Sequence, residues 1–261
     1  MNKVTSIVHE KEGVIKYQLD FAVAEPVDAQ RLKALQQWRL TLYQLGLIGQ
    51  DPERYGGLGY GNISQRCFSD DAHDLPENAW ADIYDAAVAL AESQNPDDRS
   101  GFLISGTQTG HLSELTAEHY ALVNHCDPLN NHIIASGPVK PSSEALTHGA
   151  IYALSPDIQA VIHVHSPEIF ALRNQLLLPS TPDHVPYGTP DMANAVRSLW
   201  SEGKLKSAPV LVMGGHQDGV ISFGRNMTEA GMAMLNVFQW ARALRLAEEA
   251  EAGHVERVTA F

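Results

Sequence analysis

Two histidines, His163 and His165, stand at alternate positions directly after the apolar run Ala160 to Ile162. Successive side chains of a β-strand point to opposite faces, so a strand here places both imidazoles on the same face. Two imidazoles on one face can bind a single divalent metal ion. The segment therefore predicts a strand that carries half of a metal site, in a fold that contains a sheet.

Helical and extended patterns alternate along the chain, without an internal repeat or a long linker. Helices are predicted over residues 28–46, 80–91, 116–124 and 142–154, and from Thr189 and Thr228 onward. Strands are predicted over residues 15–23, 62–64, 101–105, 132–136, 160–165, 210–213 and 220–223. This mixture indicates a three-layer α/β fold in a single domain, residues 1–261.

Composition argues against several classes of protein. The formal net charge is -13 and Lys and Arg do not cluster, which disfavours a nucleic-acid partner. The two cysteines, Cys67 and Cys126, lie far apart, so neither a disulfide framework nor a thiolate zinc site is indicated. The first residues lack the apolar core of a signal peptide, and no stretch is long enough to span a bilayer. We expect a soluble cytoplasmic protein without a membrane partner.

A catalytic zinc ion commonly has three protein ligands and one open position, so a third ligand should come from another segment. His216 is the leading candidate, because it follows a predicted strand and lies in a glycine-rich turn that ends at Gly219. Asp218 is the alternative, since carboxylate oxygens also bind such ions.

A carboxylate, Glu144, follows Ser142 and Ser143 at the predicted start of a helix. The helix dipole favours a charged carboxylate there, and free backbone N–H groups can hold an anion such as phosphate. Beside a metal that polarises a ketone or a hydroxyl group, the carboxylate can move a proton. Without further motifs, a dipole-stabilising glutamate and two capping serines are the simpler interpretation.

Four motifs occur along the chain in a specific order. They are Gly61–Ser64, Thr107–Gly110, Pro141–Glu144 and His163–His165. Their order resembles the class II aldolase/adducin family, and the resemblance covers most of the chain, from the helix near Asp28 to the last helix. It implies a three-layer α/β/α domain whose central sheet is mainly antiparallel.

The resemblance also implies roles for individual residues. Glu144 would be the acid/base and Tyr187 a proton donor, although a packing role is the simpler interpretation of Tyr187. A divalent metal, Zn²⁺ first and Mn²⁺, Co²⁺ or Fe²⁺ as alternatives, suits these nitrogen ligands. The metal would be held by His163, His165 and His216. The anionic end of the substrate would lie against Asn62, Thr109, Gly110, Ser142 and Ser143.

By the same resemblance, the chain is an aldolase-type lyase. It would cleave or form a carbon–carbon bond next to a carbonyl, in a sugar phosphate or a related hydroxy-carbonyl compound, through a metal-stabilised enediolate. The alternatives are a dehydratase or an epimerase of the same family, or a non-catalytic, adducin-like interaction domain. The resemblance implies that the epimerases of the family have an aspartate, with a shorter side chain, at the position of Glu144. A glutamate there disfavours epimerisation. The family implies a homotetramer with its pockets between protomers.

The third histidine departs from the family pattern. In the family this histidine is directly followed by glycine, whereas Gln217 and Asp218 separate His216 from Gly219. The departure weakens the assignment of His216 and keeps Asp218 as the alternative ligand.

The segment 65–106 is longer than the family core requires. Ser105–Gly106 therefore competes with Thr109–Gly110 as the anion-binding turn, and we prefer Thr109–Gly110. His148 is also open to two interpretations, because it lies one helical turn beyond Glu144. It either enters the site or is a hydrogen-bonded residue of the core.

Overall fold

The computed structural model of the chain describes residues 13–67 and 101–259. The strands, numbered in chain order within these ranges, are β1 Gln18–Val23, β2 Gly49–Gln50, β3 Gly59–Tyr60, β4 Asn62–Arg66, β5 Phe102–Ser105, β6 Tyr120–Asp127, β7 His132–Gly137, β8 Ala160–His165, β9 Val210–Val212 and β10 Gly219–Gly224. The α-helices are α1 Lys33–Gln44, α2 Ala145–Tyr152, α3 Pro167–Leu172, α4 Pro190–Ser201, α5 Lys204–Ser207 and α6 Met227–Thr259. Each strand predicted within these ranges is present.

The main sheet has eight strands in the order β1-β7-β6-β5-β4-β8-β10-β9, and β2 pairs separately with β3. β1 runs parallel to β7, and every other neighbouring pair in the main sheet is antiparallel. The predicted, mainly antiparallel central sheet is confirmed. β8 lies between β4 and β10, so His163 has Asn62 on one side and Ile221 on the other.

Two hydrophobic cores cover the two faces of the sheet. Val161 belongs to one core, together with residues of α2, α4 and α5. Ile162 and Val164 belong to the other core, together with residues of α1, α3 and α6. Neighbours on β8 therefore alternate between the cores, and the fold has the three layers that the sequence predicts. His163 and His165 share the face of Val161, so both lie on the side of α2.

Side chains mark the starts of several helices. A 3-10 turn leads into α1, and its cap Asp28 accepts a hydrogen bond from the Gln30 N–H at 2.9 Å. Thr189 accepts one from the Met192 N–H at 3.3 Å at the start of α4. α2 differs from its prediction, because it begins at Ala145 rather than just after Ser142. Ser142 instead fixes the approach to α2.

The helix predicted over residues 116–124 is wrong. Only the 3-10 turn Ala117–His119 is helical, and β6 follows it directly. Thr116 caps this turn through reciprocal hydrogen bonds with His119, which accounts for the helical start signal. The apolar residues that follow pair with both β5 and β7, so the sheet satisfies their backbone groups and overrides the local preference.

Some predictions reach beyond the described ranges. The helix predicted over residues 80–91, and most of the segment 65–106, lie outside the described residues. The assignment of residues 1–261 to one domain includes them and stays a prediction. Among the helices of the described ranges, none combines the length and apolar character needed to cross a bilayer.

Candidate metal centre and active site

His163 and His165 lie at the end of β8, and both side chains are buried. Their Nε2 atoms are only 3.2 Å apart, so the two imidazoles face a common point. His163 Nδ1 lies 3.3 Å from the carbonyl oxygen of Val220 on the neighbouring strand. If Nδ1 carries the proton and donates it to this carbonyl, the Nε2 lone pair of His163 is free to bind an ion.

Burial lowers the pKa of His163 and of His165 well below the ordinary histidine value. Repulsion from His216 lowers both pKa values further, and the charge of Arg54 adds to the effect on His165. Both imidazoles are therefore neutral at physiological pH. Neutral imidazole is the form of histidine that binds a metal.

His216 lies in the turn between β9 and β10, where the Gly219 N–H donates to the His216 carbonyl oxygen at 2.9 Å. Two glycines precede it, and a Cβ atom at Gly214 or Gly215 would approach a backbone oxygen within 2.3 Å. Only glycine lets the chain pass so closely at these two positions. The His216 ring centroid lies 5.0 Å from that of His163 and 4.7 Å from that of His165.

The three histidines form a cluster. We call these three residues and Glu144 the histidine centre. One ring nitrogen from each of His163, His165 and His216 lies within 4.8 Å of the others. Three buried imidazole nitrogens are a common ligand set of catalytic zinc and suit other divalent ions too. Asp218, the alternative ligand, points elsewhere: its Oδ2 accepts a hydrogen bond from the Tyr55 hydroxyl at 2.6 Å. The donor set therefore fits a divalent metal.

Glu144 immediately precedes α2 and is completely buried. Its Oε1 lies 3.3 Å from His216 Nδ1, which places the carboxylate at the edge of the three histidines. The backbone N–H of Glu144 donates to Ser142 Oγ at 3.3 Å, and Ser142 and Ser143 are themselves buried. The structure thus brings these predicted residues together at the amino-terminal end of α2.

The turn at Thr109 and Gly110 lies beside the segment that leads to Glu144. The Thr107 N–H donates to the Lys140 carbonyl oxygen at 3.0 Å, which joins the two segments. The buried guanidinium of Arg39 on α1 donates to the carbonyl oxygens of Thr109 and Gly110, at 3.2 and 3.4 Å. Arg39 therefore fixes the backbone of this turn.

In the competing turn, Ser105–Gly106, the serine side chain forms a hydrogen bond within the main sheet. Ser105 Oγ accepts a hydrogen bond from the Ile63 N–H at 3.2 Å, inside the core. Asn62, on the neighbouring strand, pairs with His163 and is buried. Within residues 13–67 and 101–259, Asn62 Oδ1 has no hydrogen-bond partner. A buried carboxamide oxygen of this kind is suited to a bound ligand or water.

A family model, the class II aldolase and adducin N-terminal domain, matches residues 53–244. The chain belongs to this family. The match contains the histidine centre, the Thr109 turn and Asn62. Its width, nearly three quarters of the chain, agrees with the resemblance carried by the four short motifs.

Two relatives from this family show how diverse its members are. L-fuculose phosphate aldolase of Methanococcus maripaludis is 28% identical over 163 residues, which is 57% of this chain and 82% of that protein. Human beta-adducin is 28% identical over 214 residues, which is 77% of this chain. The chain spans only 28% of the length of beta-adducin. One family fold thus occurs in an aldolase and in part of a much longer protein.

Solved structures show the same class II aldolase fold. L-fuculose-1-phosphate aldolase from Thermus thermophilus is 18% identical, with a TM-score of 0.56, over 86% of this chain and 97% of that one. YgbL from Escherichia coli, a putative aldolase/epimerase/decarboxylase, is 17% identical, with a TM-score of 0.53, over 84% of this chain and 89% of that one. At these identities the likeness shows the fold alone.

Tyr187 lies against the histidine centre through its ring. The ring stacks on His216 with centroids 4.4 Å apart, and Lys16 Nζ lies 3.4 Å from the Tyr187 centroid on the ring face. The Tyr187 hydroxyl accepts a hydrogen bond from the Val14 N–H at 3.1 Å. These contacts give Tyr187 a packing role against His216, and its role as a proton donor in a class II aldolase stays a prediction.

His148 belongs to the core rather than to the histidine centre. Its Nδ1 lies 2.6 Å from Ser64 Oγ, which in turn lies 2.8 Å from the hydroxyl of Tyr152. Burial lowers the pKa of His148 to about 3, so this histidine is neutral. We call Ser64, His148 and Tyr152 the core polar network.

The sequence did not single out Arg54 and Tyr55, which lie next to the histidine centre. The Tyr55 ring packs edge-on against His165, with centroids 4.5 Å apart, and Arg54 donates a hydrogen bond to the Tyr55 hydroxyl. Both residues precede the pair Gly56–Gly57. An arginine and an aromatic residue beside a glycine pair were the available signal, and by themselves they indicate only a glycine-rich loop.

Proposed function

We propose that this chain is a divalent-metal-dependent, aldolase-type lyase that acts on a sugar phosphate or a related hydroxy-carbonyl compound. One observation carries the proposal: the buried carboxylate of Glu144 lies 3.3 Å from His216, within a cluster of three buried histidines. Burying so many titratable groups together is unfavourable, and such clusters occur mainly where an ion is bound or a proton is moved.

His163, His165 and His216 would hold the metal, which when bound supplies a Lewis acid that polarises a carbonyl oxygen. The low pKa values of His163 and His165 support this assignment, because neutral imidazoles need not lose a proton to bind an ion. The same burial keeps bulk water away from the reacting atoms, where a proton would otherwise exchange freely.

Glu144 would carry the proton in this reaction. In aldol cleavage a hydroxyl group loses its proton, the neighbouring carbon–carbon bond breaks, and an aldehyde departs. The electron pair of the broken bond stays on the carbon next to the remaining carbonyl, and that carbon then takes up a proton. A buried carboxylate beside the histidines can accept and return protons in these two steps.

The anionic end of the substrate would lie at the amino-terminal end of α2. Ser142 and Ser143 lie there, next to the Thr109 turn, and the helix dipole favours a negative group. The aldolase relative that acts on a phosphorylated sugar supports a phosphorylated substrate. Lys140 is exposed beside this end and adds one positive charge.

A non-catalytic interaction domain is the second candidate, and the beta-adducin relative favours it. The buried carboxylate of Glu144 and the cluster of three buried histidines favour catalysis, because an interaction domain does not require such a cluster in its interior. We also propose a symmetric homo-oligomer, a tetramer as in the family, whose mass light scattering would measure.

The test compares wild type with Glu144→Gln, both loaded with Zn²⁺, on L-fuculose 1-phosphate and on free L-fuculose. We expect wild type to release aldehyde from the phosphorylated sugar, and Glu144→Gln to lower kcat by about 10² to 10⁴ with an unchanged zinc content. Glu202→Gln, an exposed glutamate at the end of α4, is the matched control.

Two results would contradict the proposal. Full turnover by Glu144→Gln removes the acid/base role of this carboxylate. Absence of aldehyde release by zinc-loaded wild type, with these two sugars and with a panel of other phosphorylated and free ketoses, rejects the aldolase activity.

A further inference from the structure

Tyr55 and Asp218 join two loops that are distant in sequence and adjacent at the histidine centre. Tyr55 lies just before β3, and Asp218 lies in the turn that carries His216. The Tyr55 hydroxyl donates a hydrogen bond to Asp218 Oδ2 at 2.6 Å, and both side chains are largely withdrawn from solvent. A short hydrogen bond to a carboxylate is among the stronger polar contacts in proteins.

Both partners have an unusual backbone conformation. The φ angle is 50° at Tyr55 and 60° at Asp218, in the left-handed region that residues with a side chain seldom adopt. Tyrosine is a bulky residue there, and Gly56 and Gly57 continue the left-handed run. Unfavourable conformations of this kind persist where surrounding contacts enforce them, and they concentrate at functional sites.

Each partner contacts one of the two segments that carry His165 and His216. The Tyr55 ring packs against His165 at an angle of 72° between the ring planes. The Asp218 carbonyl oxygen accepts a hydrogen bond from the Ser166 N–H at 2.8 Å, directly after His165. Asp218 is also part of the turn that the hydrogen bond from Gly219 to His216 closes. The pair therefore contacts the His165 ring, the residue that follows His165, and the turn that carries His216.

Arg54 strengthens the contact from outside. Its guanidinium lies 4.0 Å from Asp218 Oδ2 and donates a hydrogen bond to the Tyr55 hydroxyl. It also lies 4.8 Å from the Tyr55 ring centroid and 5.2 Å from that of Tyr60. The Arg54 guanidinium thus contacts both members of the pair and helps to hold them together.

We propose that Tyr55 and Asp218 form a clamp that positions His165 and His216 and so sets the affinity of the site for its metal. Asp218 is one of the two residues that separate His216 from Gly219, and its carboxylate and carbonyl oxygens hold this turn against Tyr55 and Ser166. Tyr55 and Asp218 are positioning residues in this arrangement. The inference rests on the proposed metal centre, because a clamp on these histidines has no role without an ion.

The experiment measures the dissociation constant of Zn²⁺ by competition with a chelator, for wild type, Tyr55→Phe, Asp218→Asn and the double variant. Tyr55→Phe keeps the ring on His165 and removes only the hydroxyl. We expect each single variant to weaken zinc binding by about 10- to 100-fold, as is usual for partners that orient metal ligands. Because both changes break the same contact, the double variant should bind about as weakly as the weaker single variant.

Two controls separate the clamp from a general loss of structure. Tyr43→Phe changes another tyrosine that packs against an arginine, and Asp157→Asn changes an exposed turn aspartate; both should bind zinc as wild type does. The visible absorption of bound Co²⁺ is the second readout. Tyr55→Phe should change it through the altered ligand geometry, whereas a merely destabilised fold would reduce its intensity without changing its shape.

The outcomes distinguish the clamp from the metal centre. Wild-type affinity in Tyr55→Phe and Asp218→Asn overturns the clamp and leaves the metal centre intact. Absence of zinc and cobalt binding by wild type overturns the metal centre itself. Weakened binding that is fully additive in the double variant also overturns the clamp, since the two residues would then act separately.

Discussion

Glu144 and His148 lie one helical turn apart at the start of α2, yet they belong to two different buried clusters. In the core polar network, His148 Nδ1 and the hydroxyl of Tyr152 both meet Ser64 Oγ, at 2.6 and 2.8 Å. In the histidine centre, the Nε2 atoms of His163 and His165 face each other at 3.2 Å, a contact between two ring nitrogens.

The two clusters differ in how their polar atoms are satisfied, and this difference distinguishes a structural role from a ligand-binding role. A hydroxyl can donate to one neighbour and accept from another, so Ser64 satisfies two side chains within the protein. Two imidazole nitrogens that face each other at this distance can share one proton in a hydrogen bond, and with a third histidine nearby they can instead bind one cation together. Substitutions in the core polar network should therefore change stability, and those in the histidine centre should change metal binding.

The largest effect is expected for His163→Gln. Losing a ligand should weaken Zn²⁺ binding by more than about 100-fold, beyond the usual effect of losing a partner that only orients a ligand. Chelator competition and the zinc content after dialysis measure it. His132→Gln, which changes another strand histidine paired with Asp20, is the control. Normal zinc affinity in His163→Gln would show that His163 is not a metal ligand, and the two clusters would then not differ in metal binding.

Ser64→Ala should give the opposite pattern. It leaves the buried His148 Nδ1 without its partner and removes one contact of the Tyr152 hydroxyl, so the free energy of unfolding should fall by about 1 to 3 kcal/mol. Zinc affinity should stay at the wild-type value. Urea denaturation and chelator competition provide the two measurements, with the exposed Ser198→Ala as control. A loss of zinc affinity without a loss of stability would show that Ser64 acts in the histidine centre and not in the core polar network.

The smallest effect concerns pH. Burial lowers the pKa of His148 to about 3, so below about pH 6.5 the unfolded chain binds a proton that the folded protein does not. Stability should therefore fall as the pH drops from 6.5 toward 3. In metal-free protein, His148→Leu should reduce the loss of unfolding free energy between pH 7 and pH 5 by about 1 to 2 kcal/mol. An unchanged loss in urea titrations would mean that His148 does not stay neutral.

Short-range periodicity predicted much of the fold and part of the site. The alternation on β8 placed His163 and His165 on one face, and the helix starts at Asp28 and Thr189 followed from local capping. The same local logic failed after Thr116, because β6 is held by its neighbours β5 and β7 rather than by its own sequence.

The sequence could not place contacts between distant segments. Tyr55 and Asp218 are separated by 163 positions, and the left-handed backbone conformation of a bulky residue such as Tyr55 has no sequence signature. For His148 the sequence favoured a hydrogen-bonded residue of the core over a residue of the site, and it could not name the partner, which is Ser64 on β4. The choice between His216 and Asp218 also required the turn geometry, because both residue types bind metals.

The amino-terminal segment before β1 has a practical consequence for expressed fragments. The hydroxyl of Tyr17 donates to the carbonyl oxygen of Ser142 at 2.8 Å, and Val14 and Lys16 contact Tyr187. The family model begins only at residue 53. A fragment trimmed to that boundary would retain all four motifs and all three histidines, and it would lack the residues that support Ser142 and the ring stacked on His216.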